Sequence, residues 1–400
     1  MILTPVFWLL CGVGCCSFIS YNLVRMPALA PFAESLGAGP VAVGWIIAAS
    51  TLTGVCLKLP IGALSDVISR KKLMTVGVLA FALPPFVYPL VTNLEVLTVV
   101  RVIHGLATAV FTPLVLATVA AMYPLNRGAA LGWYTSAAQG GALVGPMLGG
   151  WLVDSSGFAQ TFVAAGGFGL LALILYGVIL FLQPEEPGAV SGERHSIAQE
   201  LMAGLKAVVG HGQMLATSLA EAAKMMANGT LMAFLPLYGL SIGLSLNQAG
   251  MLFGIQGLTS FLSKPVMGRV SDQVGRRPMI TLGLVLCGVT IMAMPSVSYF
   301  GGLLVLAAGF GLGEAVVTSS SAALIADLAK DNNVGAGMGL RGTIMDMGHA
   351  GGPIIAGVLV ATISYTGAFS VMGGMQLIGA VAFWMMTARQ PALQPAEKTG

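Results

Sequence analysis

The 400-residue sequence predicts an all-α membrane protein with twelve transmembrane helices arranged as two six-helix halves. Hydrophobic residues make up 56% of the chain, charged residues only 8%, and the mean hydropathy of +0.89 exceeds that of soluble globular domains. Because lipid offers backbone groups no hydrogen-bond partners, each spanning segment must be a helix of about 20 residues. Twelve apolar runs have about this length: 6–31, 41–64, 72–91, 95–122, 129–153, 159–182, 213–239, 247–268, 279–297, 300–328, 336–362 and 365–386.

The first run is predicted to be a span rather than a signal peptide, because it has no basic n-region and continues far beyond a signal-peptide core. The cysteines all lie in apolar runs without metal-ligand partners at a useful spacing: Cys11, Cys15, Cys16, Cys56 and Cys287. We expect them to be small packing residues. No metal and no bound cofactor is expected.

Lys and Arg set the predicted orientation. If the first span enters from the cytoplasm, one group of basic residues lies at or near the cytoplasmic side: Arg70, Lys71, Lys72, Arg127, Arg194, Lys206, Arg269, Arg276, Arg277, Lys330, Arg341, Arg389 and Lys398. The predicted outer loops hold only acids, such as Glu34, Glu95 and Asp154. Cytoplasmic loops carry the excess of Lys and Arg, so both termini are predicted to be cytoplasmic, in a bacterial-type inner membrane. No nucleic-acid partner is expected.

The two halves form a tandem repeat. A shift of 206 positions places Asn22 on Asn228, Lys58 on Lys264 and Asp66 on Asp272, and a shift of 207 places Gly145 and Pro146 on Gly352 and Pro353. The predicted units are a first bundle (1–182), a polar cytoplasmic linker (183–212), a second bundle (213–386) and a cytoplasmic tail (387–400). Parallel repeats of this kind are a transporter architecture, with the binding site near the midplane between the repeats.

A polar loop follows the second span of each half. It reads "GALSDVISRKKLM" (62–74) and "GRVSDQVGRRPMI" (268–280), with an acid and a base four positions apart in each copy: Asp66 and Arg70, Asp272 and Arg276. The loop resembles the signature loop of the major facilitator superfamily, with Ser69 where that family usually has glycine. The resemblance covers essentially the whole chain. It implies two rocking six-helix bundles, and a gating role for these four residues.

The fourth span contains "RVIHGLATA" (101–109), which resembles the family's fourth-span motif with His104 in place of glutamine. The resemblance implies that Arg101 takes part in proton coupling. The alternative is a structural ion pair, since charges inside membranes often pair. His104 could titrate near neutral pH or simply hydrogen-bond across helices.

The fifth span, "GWYTSAAQGGALVGPMLGG" (132–150), resembles the family's antiporter motif. Gly141, Gly145 and Gly149 share one helix face, which lets a neighbouring backbone approach closely, and Pro146 interrupts the hydrogen-bond ladder. The resemblance implies an exporter and a gating role for Gly141, Gly145 and Pro146. The alternative is ordinary small-residue packing with no bearing on direction.

Charged residues that do not repeat are the best candidates for chemistry, because intramembrane ionisable groups are functional by default. Five such residues lie inside spans: Arg25, Arg101, Glu314, Asp346 and His349. Glu314 lies near the centre of its span and is the first candidate for a protonation site, with Thr318 one turn further on the same face. Asp346 and His349, three apart, could pair as a second proton relay or as a structural hydrogen bond.

Other polar residues inside the spans receive weaker predictions. Glu221 and Lys224 are expected to form a local ion pair, and the repeating Lys58 and Lys264 to be scaffold near a gate. The expected substrate-binding residues are Asn22, Arg25, His104, Asn228 and Glu314. The excess of basic over acidic groups inside the spans suits an anionic or zwitterionic substrate.

These patterns predict a monomeric proton-driven exporter of a small organic molecule, with the substrate, protons and membrane lipid as its partners. A proton-coupled importer of an organic anion is the alternative. No nucleophile with its base and no metal-ligand cluster is apparent, so an enzyme is not expected.

Overall fold

The computed structural model describes residues 3–65, 68–183, 212–328 and 334–388, and every regular element in these ranges is helical. Twelve helices follow one another: α1 Pro5–Ser35, α2 Pro40–Leu64, α3 Arg70–Leu90, α4 Leu94–Met122, α5 Arg127–Ser156, α6 Phe158–Leu182, α7 Gly212–Ser241, α8 Leu246–Val274, α9 Arg276–Ser296, α10 Phe300–Leu328, α11 Val334–Thr362 and α12 Tyr365–Ala388. The twelve predicted spans are confirmed. Asp66 and most of the predicted linker and tail lie outside the described residues.

Three of these helices contain short irregular turns. A π-helical turn at Val24–Ala28 interrupts α1, and 3₁₀ turns at Tyr88–Leu90 and Met294–Ser296 end α3 and α9. Within the described ranges, nine helices are long and apolar enough to cross a bilayer by length and composition. The others, α5, α7 and α8, are as long, at 29 or 30 residues. Their glycines and their polar and charged residues lower the hydropathy.

The helices cross in alternate directions, which gives the bundle two ends. The first, the basic end, carries Arg70, Arg127 and Arg276 at the starts of α3, α5 and α9. The second, the opposite end, carries the short connections α1–α2 and α7–α8. These two connections are equivalent: Gly37 and Gly243 have φ values of 90° and 85°, in the left-handed region that glycine adopts without strain. The amide after each glycine bonds back to Ala33 or Gly239, as a helix-terminating motif requires.

The halves α1–α6 and α7–α12 meet along two seams, α2 against α11 and α5 against α8. A Cβ on Gly44 would lie 2.3 Å from the Pro353 carbonyl oxygen, and a Cβ on Gly250 would lie 2.4 Å from the Pro146 carbonyl oxygen. These contacts are equivalent under the repeat. The lack of a side chain at each glycine therefore lets the backbones of the two halves touch.

The seams are tight only toward the opposite end. The largest buried apolar cluster there runs through both halves, from Leu29 and Ile47 to Leu235 and Phe253. Toward the basic end, separate clusters lie within the first half and within the second. Among the described residues, apolar packing therefore closes the opposite end, whereas toward the basic end it lies within each half.

One carboxylate joins the halves at the opposite end. Asp154, near the end of α5, accepts hydrogen bonds from the Leu246 amide at 3.2 Å and the Asn247 amide at 2.7 Å. These are the first two amides of α8, which have no partner inside the helix. Ser245 accepts the bond from the next amide, that of Gln248, in a capping box. The first three amides of α8 are thus all satisfied, two of them by the other half.

The glycines of α5 pack as their spacing predicts. A Cβ on Gly141 would lie 2.2 Å from the Cys15 carbonyl oxygen, and a Cβ on Gly145 would lie 2.9 Å from the Asn22 Cβ. The second half repeats the contact, since a Cβ on Gly348 would lie 2.2 Å from the Ala222 carbonyl oxygen. The predicted backbone-to-backbone packing of this helix is confirmed, and its partner is α1.

The second polar loop brings its acid and base together across a break between helices. Asp272 lies near the end of α8, Gly275 leaves the helix with φ of 105°, and Arg276 begins α9. Arg276 pairs with Asp272 and also contacts Asp327 of α10 at 3.3 Å. The acid and base were expected to meet on one helical turn. Instead, Arg276 of α9 joins Asp272 of α8 to Asp327 of α10. In the first copy Arg70 is exposed.

Candidate functional site

A cavity of about 240 Å³ lies between the halves, between the closed opposite end and the basic end. Most of its polar lining comes from α1, α2 and α11: Asn22, Arg25, Thr51, Lys58, Asp346 and His349. Phe18, Tyr21 and Ala142 supply an apolar wall. Of the predicted site residues, this arrangement brings together Asn22, Arg25, Asp346 and His349.

Lys58 and Asp346 form an ion pair across the two halves. The side chains are 38% and 23% exposed, so the pair lies at the wetter part of the cavity. Lys58, which was expected to be scaffold near a gate, thus lines the cavity and contacts the other half. Its repeat partner Lys264 interacts instead with two acids of its own half, Glu314 and Glu221. A pair that spans the halves must lengthen or break whenever they move apart at this level.

Arg25 contacts groups that carry no negative charge. Its Nη2 donates to the Thr51 hydroxyl at 3.3 Å and lies 3.2 Å from the His349 Nδ1, and its guanidinium stands over the Tyr21 ring at 5.5 Å. The expected pairing of Asp346 with His349 was therefore wrong. Both side chains of α11 reach across to the first half, His349 to Arg25 and Asp346 to Lys58, because α11 forms a seam with α2.

Arg101 and His104 lie behind the cavity wall rather than on it. Arg101 is fully buried, donates to the backbone carbonyls of Ile46 and Ile47 at 3.4 Å, and bonds the Ser50 hydroxyl. His104 is also fully buried. Since these partners are neutral, the alternative of a structural ion pair for Arg101 was wrong.

Tyrosines enclose His104. Its Nδ1 lies 3.1 Å from the Tyr88 hydroxyl, and its ring stands edge-on to Tyr21 at 4.9 Å. His104 does not line this cavity, and its expected contact with substrate stays a prediction. Gly105 lets α4 approach α2 so closely that a Cβ there would lie 2.6 Å from the Ser50 carbonyl oxygen. Tyr21 separates His104 from it.

Glu314 lies within the second half and is not among the residues that line this cavity. Its carboxylate accepts from the Gln256 amide at 3.5 Å, and Thr318 accepts from Lys224 at 3.0 Å. Glu314 and Thr318 are half-buried, so the expectation that they share one face of α10 is consistent with their contacts. Asn228 is half-buried on α7 and also does not line the cavity.

The predicted ion pair between Glu221 and Lys224 was wrong. Glu221 is fully buried and pairs with Arg341 of α11, whereas Lys224 turns to Thr318 on α10. Neighbours three apart on one helix compete here with charged and polar groups from packed helices. The sequence also gave no signal for Tyr21 and Thr51 as lining residues.

In the part of the chain with described coordinates, no group of three His, Cys, Asp or Glu side chains is placed to hold a metal ion. The groups that line the cavity are suited to binding a ligand and to exchanging charge partners. Two cations, one carboxylate and one imidazole share it, and the only ion pair among these four groups spans the halves.

Comparison with known proteins gives one consistent result. The family model described as "Major Facilitator Superfamily" matches residues 10–246 and 217–400. The chain is 25% identical over 402 residues to "Multidrug resistance protein MdtG" of Escherichia coli, with 97% of each chain covered. It is 23% identical over 360 residues to an uncharacterized MFS-type transporter of Methanocaldococcus jannaschii, covering 87% of this chain and 91% of the relative.

Solved structures share the fold at lower identity. A bacterial homolog of the human lysosomal transporter Spinster, in an inward-facing and occupied conformation, superposes with a TM-score of 0.76 at 14% identity and covers 98% of each chain. The nucleoside transporter NupG superposes with a TM-score of 0.75, also at 14% identity, with 97% of this chain and 100% of that chain covered. At this identity the likeness shows the fold alone.

Proposed function

The chain belongs to the major facilitator superfamily, and we propose that it exports a small organic molecule from the cell in exchange for protons. Family membership makes it a membrane transporter and not an enzyme. The observation that carries the proposed direction is the full-length similarity to a multidrug resistance protein. A transporter protects a cell from a drug only if it moves the drug out.

The geometry supports alternating access as the mechanism. The cavity lies between two pseudo-symmetric halves, glycine contacts close one end, and the Lys58–Asp346 pair is the charged contact between the halves at the cavity. Rocking of the halves would open the glycine seams and close the basic end. Each half would move as a unit around the cavity, as the family architecture implies.

Asp346 is the proposed first site of protonation, with Glu314 as the second candidate. A proton on an Asp346 oxygen turns the carboxylate into a neutral carboxyl group and leaves Lys58 without its counter-charge. The energy of the contact between the halves then changes, which is what coupling requires. Glu314 remains a candidate because it is a carboxyl group in mid-span, with a weak contact at 3.5 Å. Arg101 would act indirectly, through its contacts with α2.

The proposed location is a bacterial-type cytoplasmic membrane, with both termini and the basic end facing the cytoplasm. The support is the placement of Arg70, Arg127 and Arg276 at one end and of Asp154 at the other. In this orientation the structure is closed to the outside. We also propose that the protein acts as a monomer, since each chain has its own pair of halves.

A specific observation favours a second candidate, a proton-coupled importer of an organic anion. Arg25 faces the cavity without an anionic partner, and protonation of Asp346 would make the cavity more positive. A proton and an anion would then favour each other's binding. Two ligands that bind cooperatively travel together, which is symport rather than exchange.

Membrane vesicles of defined orientation separate the two candidates. Three probes of similar size and different charge would be used: radiolabelled benzenesulfonate, benzenesulfonamide and phenyltrimethylammonium. An exporter accumulates its probe in everted vesicles with an acidic lumen, and adding the probe raises the lumen pH. An importer accumulates it in right-side-out vesicles with an acidic exterior. Accumulation in the importer configuration alone would refute export.

Carboxyl variants test the coupling. Asp346→Asn is expected to abolish accumulation driven by the pH gradient, and Glu314→Gln to do so if the second candidate is correct. Glu95→Gln, an exposed acid at the start of α4, is the matched control and should transport normally. Normal accumulation by both Asp346→Asn and Glu314→Gln would refute proton coupling through these groups.

A further inference from the structure

Arg25 forms no ion pair within the described residues, and Asp346, an acid that acts on it electrostatically, is held in an ion pair with Lys58. Across the described ranges the contacts of Arg25 are the Thr51 hydroxyl, the His349 imidazole and the face of Tyr21, and its Nε is buried without a hydrogen-bond partner. Arginine stays protonated in proteins, so the charge cannot be removed by deprotonation. A buried charge is costly unless it is paired and hydrogen-bonded.

The other charges of the cavity do not compensate for it. Lys58 and Asp346 neutralise each other through their ion pair. His349 lies within hydrogen-bond distance of the Arg25 Nη2, a donor, and only a neutral imidazole has a nitrogen lone pair to accept that bond. With a neutral His349, the cavity carries one net positive charge, located on the guanidinium.

We propose that this cavity is a binding site for a small organic monoanion whose carboxylate or sulfonate group pairs with Arg25. The inference rests on the proposed transport function but not on its direction. An oxyanion fits because Arg25 lines the cavity and a guanidinium makes charge-assisted hydrogen bonds to carboxylate and sulfonate groups. Asn22, three residues before Arg25 on α1, and Thr51 of α2 line the same cavity as neutral polar groups.

The rest of the ligand is predicted to be apolar and no larger than a substituted benzene ring. Phe18, Tyr21 and Ala142 form the apolar wall next to Arg25. An apolar protein cavity of about 150 Å³ holds benzene. The cavity of about 240 Å³ leaves room for a ring together with an oxyanion group. The aromatic faces of Phe18 and Tyr21 suit a flat ring.

Equilibrium binding to the purified full-length protein tests the inference without any transport step. The probes are benzenesulfonate, its neutral isostere benzenesulfonamide and the cation phenyltrimethylammonium, measured by calorimetry in lipid nanodiscs. We expect benzenesulfonate to bind at least roughly tenfold more tightly than either of the others, as a charge-assisted pair with Arg25 requires. Equal or tighter binding of the neutral or cationic probe would overturn the inference.

Two cavity variants predict changes of opposite sign. Arg25→Met is expected to remove the preference for the anion. Asp346→Asn removes the negative charge beside Lys58, so benzenesulfonate should bind several-fold more tightly. Arg127→Gln removes an exposed cation at the start of α5 and should leave binding unchanged. An affinity that Asp346→Asn leaves unchanged or lowers would overturn the inference, even if Arg25→Met proves unstable.

Failure here and failure of the proposed function can be told apart. If benzenesulfonate does not bind selectively but a probe still accumulates in energised vesicles, the transport proposal stands and the anion site is refuted. If benzenesulfonate binds selectively while no probe accumulates, the site stands and the proposed transport is refuted for these solutes.

Discussion

Adding a methyl group at a seam glycine should push the two halves apart at the opposite end. Gly44→Ala places a Cβ 2.3 Å from the Pro353 carbonyl oxygen, and Gly250→Ala places one 2.4 Å from the Pro146 carbonyl oxygen. Ordinary van der Waals contact begins near 3.4 Å, so each variant needs about 1 Å of separation. The contacted atoms are backbone and cannot rotate away, so the halves themselves must move.

The size of the effect follows from the cost of overpacking. Inserting a methyl group into a close-packed interface costs about 1–3 kcal/mol. This cost falls on the state that is closed at the opposite end and not on the state in which the seams are open. The ratio of the two states should therefore shift toward the open one by roughly fivefold to more than a hundredfold.

Spin-label distances measure this shift directly. The five native cysteines would be replaced, and labels attached at Ser156→Cys of α5 and Ile363→Cys after α11, both exposed at the opposite end. Pulsed electron resonance should show a longer-distance population that grows in Gly44→Ala and in Gly250→Ala. Gly140→Ala is the matched control, because a Cβ there meets nothing within 4 Å. Seam variants with the same distance distribution as Gly140→Ala would refute the reasoning.

Two further predictions concern charged groups that join helices. Asp154→Ala removes the carboxylate that accepts two amides of α8, and since lost helix caps cost about 1 kcal/mol, the same labels should report a roughly fivefold shift toward the open state. Ser155→Ala is the neighbouring control, and an equal shift in both variants would contradict the assignment to the carboxylate. Glu221→Gln leaves Arg341 without its buried partner and should lower stability by about 3–5 kcal/mol, measured as the thermal midpoint of unfolding. The double variant with Arg341→Met should recover part of that loss; a double variant less stable than Glu221→Gln would contradict the pairing.

The fold could be predicted from the sequence because its determinants are local or repeated. An apolar run long enough to cross a bilayer specifies a helix whatever its neighbours are, so all twelve spans were predictable. The glycine contacts of α5 were predictable for a related reason. Gly141 and Gly145 lie on one face because they are four residues apart in a helix. A face without side chains allows the backbone of a neighbouring helix to approach closely.

The partners of the charged residues could not be predicted, because they depend on how helices distant in sequence pack. Asp346 and His349 are neighbours on α11, yet each contacts a residue more than 280 positions away in the first half. The sequence repeat could not predict the partner of Lys58, because Lys58 has a counterpart in the second half and its partner Asp346 has no acidic counterpart in the first. Glu221 pairs with Arg341 rather than with Lys224, three positions away on its own helix, because α7 packs against α11.

The carboxylate of Asp154 makes the two seams mechanically unequal. Under the repeat its counterpart is Ala361, and the counterpart of Leu246, whose amide it holds, is Pro40, which has no amide hydrogen to offer. At the closed end, the described residues of the α5–α8 seam are therefore joined by two hydrogen bonds that have no counterpart in the α2–α11 seam, whose Lys58–Asp346 pair lies at the cavity instead. When thermal motion loosens the closed end, we expect the α2–α11 seam to separate before the α5–α8 seam. The two nearly symmetric halves would then rotate about an axis close to Asp154.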